Sequence, residues 1–208
     1  MLMRPHAPDS RAITQQKFEA QTSKAQGLEP MRFQLYDMAL RLIQSDHEIE
    51  AYLLILATWN FARFRFVTRS FDLEQFRQTI AEVSPIFAKL DAETFESADL
   101  DSIAGDIAAI YSRLRPLVEQ TGASKIMHFK QPRLFVMWDT EIRRHYRIPD
   151  GRSPNDYIDF LRLMRITFGH LRWAGQGRTF AKAIDEYNFV LADRKRRQQR
   201  RKTRPKPN

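Results

Sequence analysis

The chain has 208 residues, with 34 Lys and Arg against 25 Asp and Glu, no cysteine and an apolar fraction of 43%. That composition suits one domain with a real core, and it excludes a wholly disordered chain, disulfides, thiolate metal sites and a cysteine nucleophile. No run approaches the roughly 18 apolar residues of a spanning helix, and Met1 to His6 lacks the apolar run of a signal peptide, so a soluble cytoplasmic protein is expected. Residues 1–27 are polar and weakly periodic, which predicts a frayed N-terminal arm. From Pro30, apolar residues at three- and four-residue spacing (Phe33, Tyr36, Leu40, Ile43) predict a helix. The next, from about Ile49 to Phe66, is apolar on most sides and is expected to be the central buried helix. Phe71 to Leu90 follows, with Asp72 as its cap, and then 99–119, with Ile103, Ile107, Ile110, Leu114 and Leu117 on one stripe. Thr121-Gly122 is expected to break that helix, with a short one restarting at Ser124 and ending before Pro132. Leu134 to Trp138 is a compact apolar run, Thr140 to Arg147 reads as helix, and Pro149-Asp150-Gly151 is a turn. Ser153-Pro154 opens a helix to about Trp173, capped by Ser153. The last helix begins near Thr179, with Phe180, Ile184, Tyr187 and Leu191 on one face. No strand alternation persists. The expected fold is all-α, spanning 28–193, with a disordered basic tail over 194–208.

The formal net charge of +9 is unevenly placed. Residues 194–208 hold nine Lys and Arg and no acid, so the body through residue 193 is neutral. Within that body, residues 112–182 carry fourteen basic and six acidic groups, balanced by acidic flanks. A concentrated positive region is what a polyphosphate partner requires, and it points to nucleic acid.

The same region carries the chemistry-bearing residues. Val118 to Arg147 runs VEQTGASKIMHFKQPRLFVMWDTEIRRHYR. Its order is a helix end, a glycine turn, a lysine opening a short helix, a Pro-led apolar run, an aspartate, and a basic helix. Here the chain resembles the helix-hairpin-helix DNA glycosylases of the HhH-GPD superfamily. Ala123-Ser124-Lys125 falls on the G-x-K hairpin stretch of that family. Trp138-Asp139-Thr140-Glu141-Ile142-Arg143-Arg144 falls on its V-D-T/V-H-x-x-R motif, with Glu141 where histidine is usual. The match spans about thirty residues, with 14 positions between Lys125 and Asp139. The branch it suggests is that of the archaeal 8-oxoguanine glycosylases, together with members that excise glucosylated hydroxymethylcytosine from phage DNA.

The resemblance implies that Asp139 is the catalytic carboxylate and Lys125 the candidate nucleophile. Glycosidic cleavage builds oxocarbenium character, which a carboxylate stabilises, and a lysine of lowered pKa can attack the anomeric carbon. Gly122, Ala123 and Ser124 are then expected to offer backbone amides to a DNA phosphate, joined by Arg143, Arg144 and Arg147. A flipped base needs an aromatic pocket, for which Trp59, Phe61, Phe135 and Trp138 are the candidates. Asp139 before Thr140 also reads as a helix N-cap, and Trp59 and Phe61 equally suit a core. His128, Glu141 and His145 lack tight ligand spacing, so no metal is expected, and the chemistry needs no cofactor. The expected partner is double-stranded DNA, bound by a monomer. The alternative function is nucleic-acid binding without catalysis.

Overall fold

The computed structural model describes residues 13–59, 71–175 and 177–203, with side chains through Asp193. Among these residues the chain forms eight helices and no strand. They are α1 Gln15–Leu28, α2 Pro30–Gln44, α3 Glu48–Trp59, α4 Leu73–Lys89, α5 Ala104–Lys130, α6 Thr140–His145, α7 Pro154–Phe168 and α8 Phe180–Thr203. None of them is long and apolar enough to cross a membrane. The starts follow local chemistry. Asp72 accepts from the backbone N–H of Glu74 and Gln75, at 2.9 and 3.0 Å, and Ser153 accepts from that of Asn155 ahead of Pro154.

Three elements depart from the sequence-based expectation. The N-terminal arm is helical from Gln15 and packs along α8. Phe18 anchors it, fully buried among Phe168, Trp173, Phe180 and Tyr187, with ring centroids 5.6 to 5.8 Å away. Gln15 adds a two-way clasp, donating to the Arg172 carbonyl and accepting from the Arg172 N–H. Ala25 and Leu28 add a small apolar contact with Phe189 and Val190, so few apolar groups hold a helix whose sequence is mostly polar. At the other end, α8 continues through Thr203, so the backbone is helical where a disordered tail was expected to start. Its Arg, Lys and Gln residues are all good helix formers.

The third departure lies beside the site. The break in the long helix falls at Glu119 (φ 59°, ψ 178°) and not at Thr121-Gly122. A non-glycine residue there costs about 1–3 kcal/mol, which the surrounding packing must hold in place. Gly122 therefore serves packing. A Cβ on it would stand 2.8 Å from Val118 Cβ and 2.9 Å from Leu56 Cδ2, so α5 and α3 touch through the missing side chain. Gly122→Val is expected to lower stability by about 1–3 kcal/mol through overpacking. The check is the urea midpoint, which should fall without a change in m.

The centre of the core belongs to α5 and α7 with the 134–138 run. Tyr111 stacks on Tyr157 at 5.2 Å, and Trp138 packs edge-on against Tyr157 at 5.0 Å. Helix α3, expected at the centre, buries one face (Ala51, Tyr52, Ile55, Leu56) against its neighbours. The rest of its expected span, beyond Trp59, lies outside the described residues.

Candidate active site

Lys125 and Asp139 are brought together by their neighbours in sequence. The Ser124 hydroxyl accepts from the Trp138 N–H at 3.3 Å and can donate to the carbonyl of Trp138 (3.3 Å) or Thr121 (3.1 Å). The Trp138 indole N–H donates to the Gln120 carbonyl at 3.0 Å. The loop is thus stapled to the second half of α5, and the next residue on each side is a chemistry-bearing one. Lys125 is 3% exposed, and its Nζ donates to the Trp59 carbonyl at 2.5 Å. Burial is the main force on its amine, and Arg32 and Lys182 reinforce it, while Asp139 and Asp185 pull the other way. The outcome is a pKa lowered from 10.5 to about 7. Near neutral pH about half of such an amine is the free base, the form a nucleophilic lysine needs. Asp139 caps α6, accepting from the Ile142 N–H at 2.8 Å.

A second set of charges, which the sequence reading missed, surrounds this amine. Lys182 sits 2.9 Å from Asp185 and 3.6 Å from Glu186, and Arg178 pairs with Glu186. The three on α8, Lys182, Asp185 and Glu186, are 2–3% exposed, and Arg178 reaches them from the turn before it. Cations wrap the Trp59 indole, with Arg32 at 4.6 Å from the ring centroid, Lys182 at 5.5 Å and Lys125 at 5.9 Å. Tyr36 stacks near Trp59, at 6.0 Å. Its hydroxyl donates to His128 Nε2 at 2.9 Å, since Nδ1 is committed to the Phe135 carbonyl at 2.6 Å. Burial lowers the His128 pKa to about 4, so the ring is neutral at physiological pH. Burial pushes the Asp185 carboxyl up, but Lys182 and Arg32 outweigh it and hold the group below the ordinary aspartate range. Between Arg32, Phe33, Lys182, Asp185 and Phe189 lies a cavity of about 10 Å³.

These buried charges depend on one another. Lys182→Met is expected to destabilise the fold by about 3–5 kcal/mol, because Asp185 and Glu186 lose the cation between them. A comparison of urea unfolding for the variant and the natural protein reads this directly.

The remaining expected site residues fall in different places. Gly122, Ala123 and Ser124 are buried within α5, so their amides do not form a surface phosphate loop; the helix break at Glu119 moves them inside. Phe135 and Trp138 are core residues, at 0% and 1% exposure, packed against Phe87, Tyr157 and Phe160. They do not line a pocket. Trp59 alone of the expected aromatics borders Lys125, and Phe61 lies outside the described residues. Arg143 is buried, whereas Arg144 and Arg147 are exposed. Among the described residues no three His, Cys, Asp or Glu side chains gather as metal ligands. Compared with known protein families, curated proteins and solved structures, the chain matches none.

Proposed function

We propose that the protein is a DNA glycosylase that takes a modified base out of the duplex and cleaves its N-glycosidic bond. The observation that carries this reading is the buried Lys125 amine, stapled through Ser124 and Trp138 to the segment that bears Asp139, where desolvation lowers its pKa to about 7. The free amine attacks C1′ of the nucleotide. The Nζ–C1′ bond forms as the C1′–N bond to the base breaks, and the proton shed by the amine compensates the leaving base. Asp139 stabilises the positive charge that develops on the sugar. The glycosylamine so formed opens by breaking its C1′–O4′ bond, the O4′ taking a proton, to give a Schiff base. Loss of a C2′ proton then expels the 3′ phosphate by β-elimination, and water hydrolyses the imine to release the enzyme. No metal or organic cofactor is needed for these steps.

The extruded base belongs next to Trp59, which offers an aromatic face, with Lys182, Asp185 and Glu186 able to bond its polar edges. The neighbouring cavity between Arg32, Lys182 and Asp185, at about 10 Å³, is far too small for a base, so Arg32 must leave the Trp59 ring to open a site there. The resemblance to the HhH-GPD superfamily extends the proposal to polar modified bases, including glucosylated hydroxymethylcytosine in phage DNA, and to a role in anti-phage defence. A monomer acting in the cytoplasm would suffice.

The cap that Asp139 supplies to α6 favours a second reading, nucleic-acid binding without chemistry. One experiment separates them. Duplexes bearing single modified bases, and native phage DNA, are incubated with the protein and assayed for alkali-labile sites and for borohydride-trapped protein–DNA adducts. Base release with an adduct mapped to Lys125 is the expected result; a mobility shift with no release on any substrate would leave only binding.

A further inference from the structure

A groove of about 390 Å³ opens on the surface beside α6, lined among others by Gln120, Thr140, Arg143, Arg144, Asp150 and Arg152. Its volume lies within the roughly 300–1,000 Å³ of ligand clefts. Its walls are braced. The Arg143 guanidinium lies 5.4 Å from the Trp138 ring centroid and donates to the Asp150 carbonyl and, at 3.3 Å, to the Thr140 hydroxyl. The Tyr111 hydroxyl donates to the Gly151 carbonyl at 2.6 Å, which ties the 149–152 turn to the core. Glycine suits that turn, since φ is +76° at Gly151 and a Cβ would stand 2.9 Å from Arg143 Nη1 and 3.1 Å from the Trp138 ring.

The rim carries the accessible charge. The side chains of Arg144 and Arg152 are 72% and 76% exposed, paired at the surface with Glu141 at 2.7 Å and Asp150 at 3.2 Å. Exposed pairs of this kind hold weakly and exchange readily for a stronger anion. Three guanidiniums face one lining carboxylate, Asp150, in the stretch of sequence where bases exceed acids fourteen to six. The groove also shares its mounting with the candidate carboxylate. Thr140 follows Asp139 in sequence, and Trp138 bonds the opposite wall through Gln120.

We propose that this groove seats the phosphodiester backbone of a DNA strand, at the phosphates flanking the nucleotide held at Lys125. Arg144 and Arg152 grip the phosphates, and Arg143 is the brace that fixes the wall. Guanidinium forks match phosphate oxygens two at a time, which suits them to this task better than a lysine surface would. The choice of DNA as the polyanion rests on the base-excision reading; the groove's geometry and charge do not.

The test is equilibrium binding of a fluorescent, unmodified 20-base-pair DNA duplex by the full chain across a NaCl series, which requires no base release. Arg144→Gln with Arg152→Gln should weaken binding by about tenfold and reduce the slope of log K against log[salt] by about 1–2, one phosphate contact per arginine. A control of equal charge change, Lys89→Gln with Arg113→Gln on the α4–α5 face, should leave the slope within error. An unchanged slope in the groove variant, or an equal loss in the control, overturns the proposal. So does a loss confined to a duplex RNA of the same sequence. Failure of the natural protein to release any base, with the groove result intact, would count against the glycosylase reading alone.

Discussion

Lys125→Met is expected to abolish base release and borohydride trapping, by about 10³-fold or more, while leaving the protein at least as stable as before. Loss of the nucleophile leaves the Asp139 carboxylate alone to support the oxocarbenium-like sugar, which gives little turnover. The stability half has the less intuitive sign. With a pKa of about 7 folded against 10.5 unfolded, the buried amine penalises folding by on the order of 4 kcal/mol at pH 7. Methionine fills a similar volume and removes that penalty. It also leaves the Trp59 carbonyl without its 2.5 Å donor, at a cost of about 1–3 kcal/mol. The balance is neutral to stabilising. The pH dependence isolates the cause. Below pH 7 both states hold the proton and the full penalty applies. Between 7 and 10.5 the unfolded chain binds a proton the folded chain lacks, so stability rises with pH. His128 acts only at lower pH, where stability falls as the unfolded ring, but not the buried one, takes a proton. The buried Tyr36, Tyr52 and Tyr157 act only above pH 10, where burial keeps them neutral and stability falls. Urea unfolding from pH 7 to 9.5 should therefore show a rise in the natural protein that Lys125→Met lacks. A parallel rise in both proteins would assign it elsewhere. In that same window, single-turnover base release should increase through pH 7 and level off, as the free amine saturates.

The residues that carry this argument were legible in the sequence to different degrees. Helices and their starts were read from local chemistry, and the caps at Asp72, Ser153 and Asp139 all bond the amides expected of them. Lys125 and Asp139 were legible because each stands in a motif-like stretch of residues. The link between their segments was not, since it depends on the Ser124–Trp138 staple across 14 positions. Phe135 and Trp138 show the limit of composition, because an apolar run next to a carboxylate reads the same as pocket or core. Helix α1 shows another limit. Its two large apolar residues, Phe18 and Leu28, give too little periodicity, and its stability comes mainly from an aromatic nest built around Phe18 by α7, α8 and their connection. The α8 charges were hidden by the ordinary expectation that Lys, Asp and Glu face water. Periodicity gave no signal, because Lys182, Asp185 and Glu186 fall on the face of α8 opposite Phe180, Ile184 and Tyr187, which reads as solvated and is instead covered by α1 and α2.

Asp139 is expected to separate its two roles when replaced in two ways. Asparagine keeps a side-chain oxygen at the N-cap, where it serves about as well as aspartate, so Asp139→Asn should change stability by only a few tenths of a kcal/mol. Alanine removes the acceptor of the Ile142 N–H, and Asp139→Ala should cost about 1 kcal/mol. The chemistry ranks the variants differently. Neither substitute carries the negative charge that offsets an oxocarbenium-like sugar, so both should lose about 10²–10⁴-fold in base release. The asparagine variant is thus the diagnostic one, being folded, capped and nearly inactive. Asp139 also holds part of the positive charge of Lys125 in place, since its carboxylate raises the amine's pKa against the pull of burial. Its neutralisation should move the pH at which trapping half-saturates downward from about 7. A purely structural Asp139 would shift that midpoint equally but leave base release intact in the asparagine variant, and would make the alanine variant, with its lost cap, the worse of the two. Single-turnover release and borohydride trapping across pH 5.5 to 8.5, run on both variants and alongside their urea unfolding, decide between a carboxylate that acts on the sugar and one that only starts a helix.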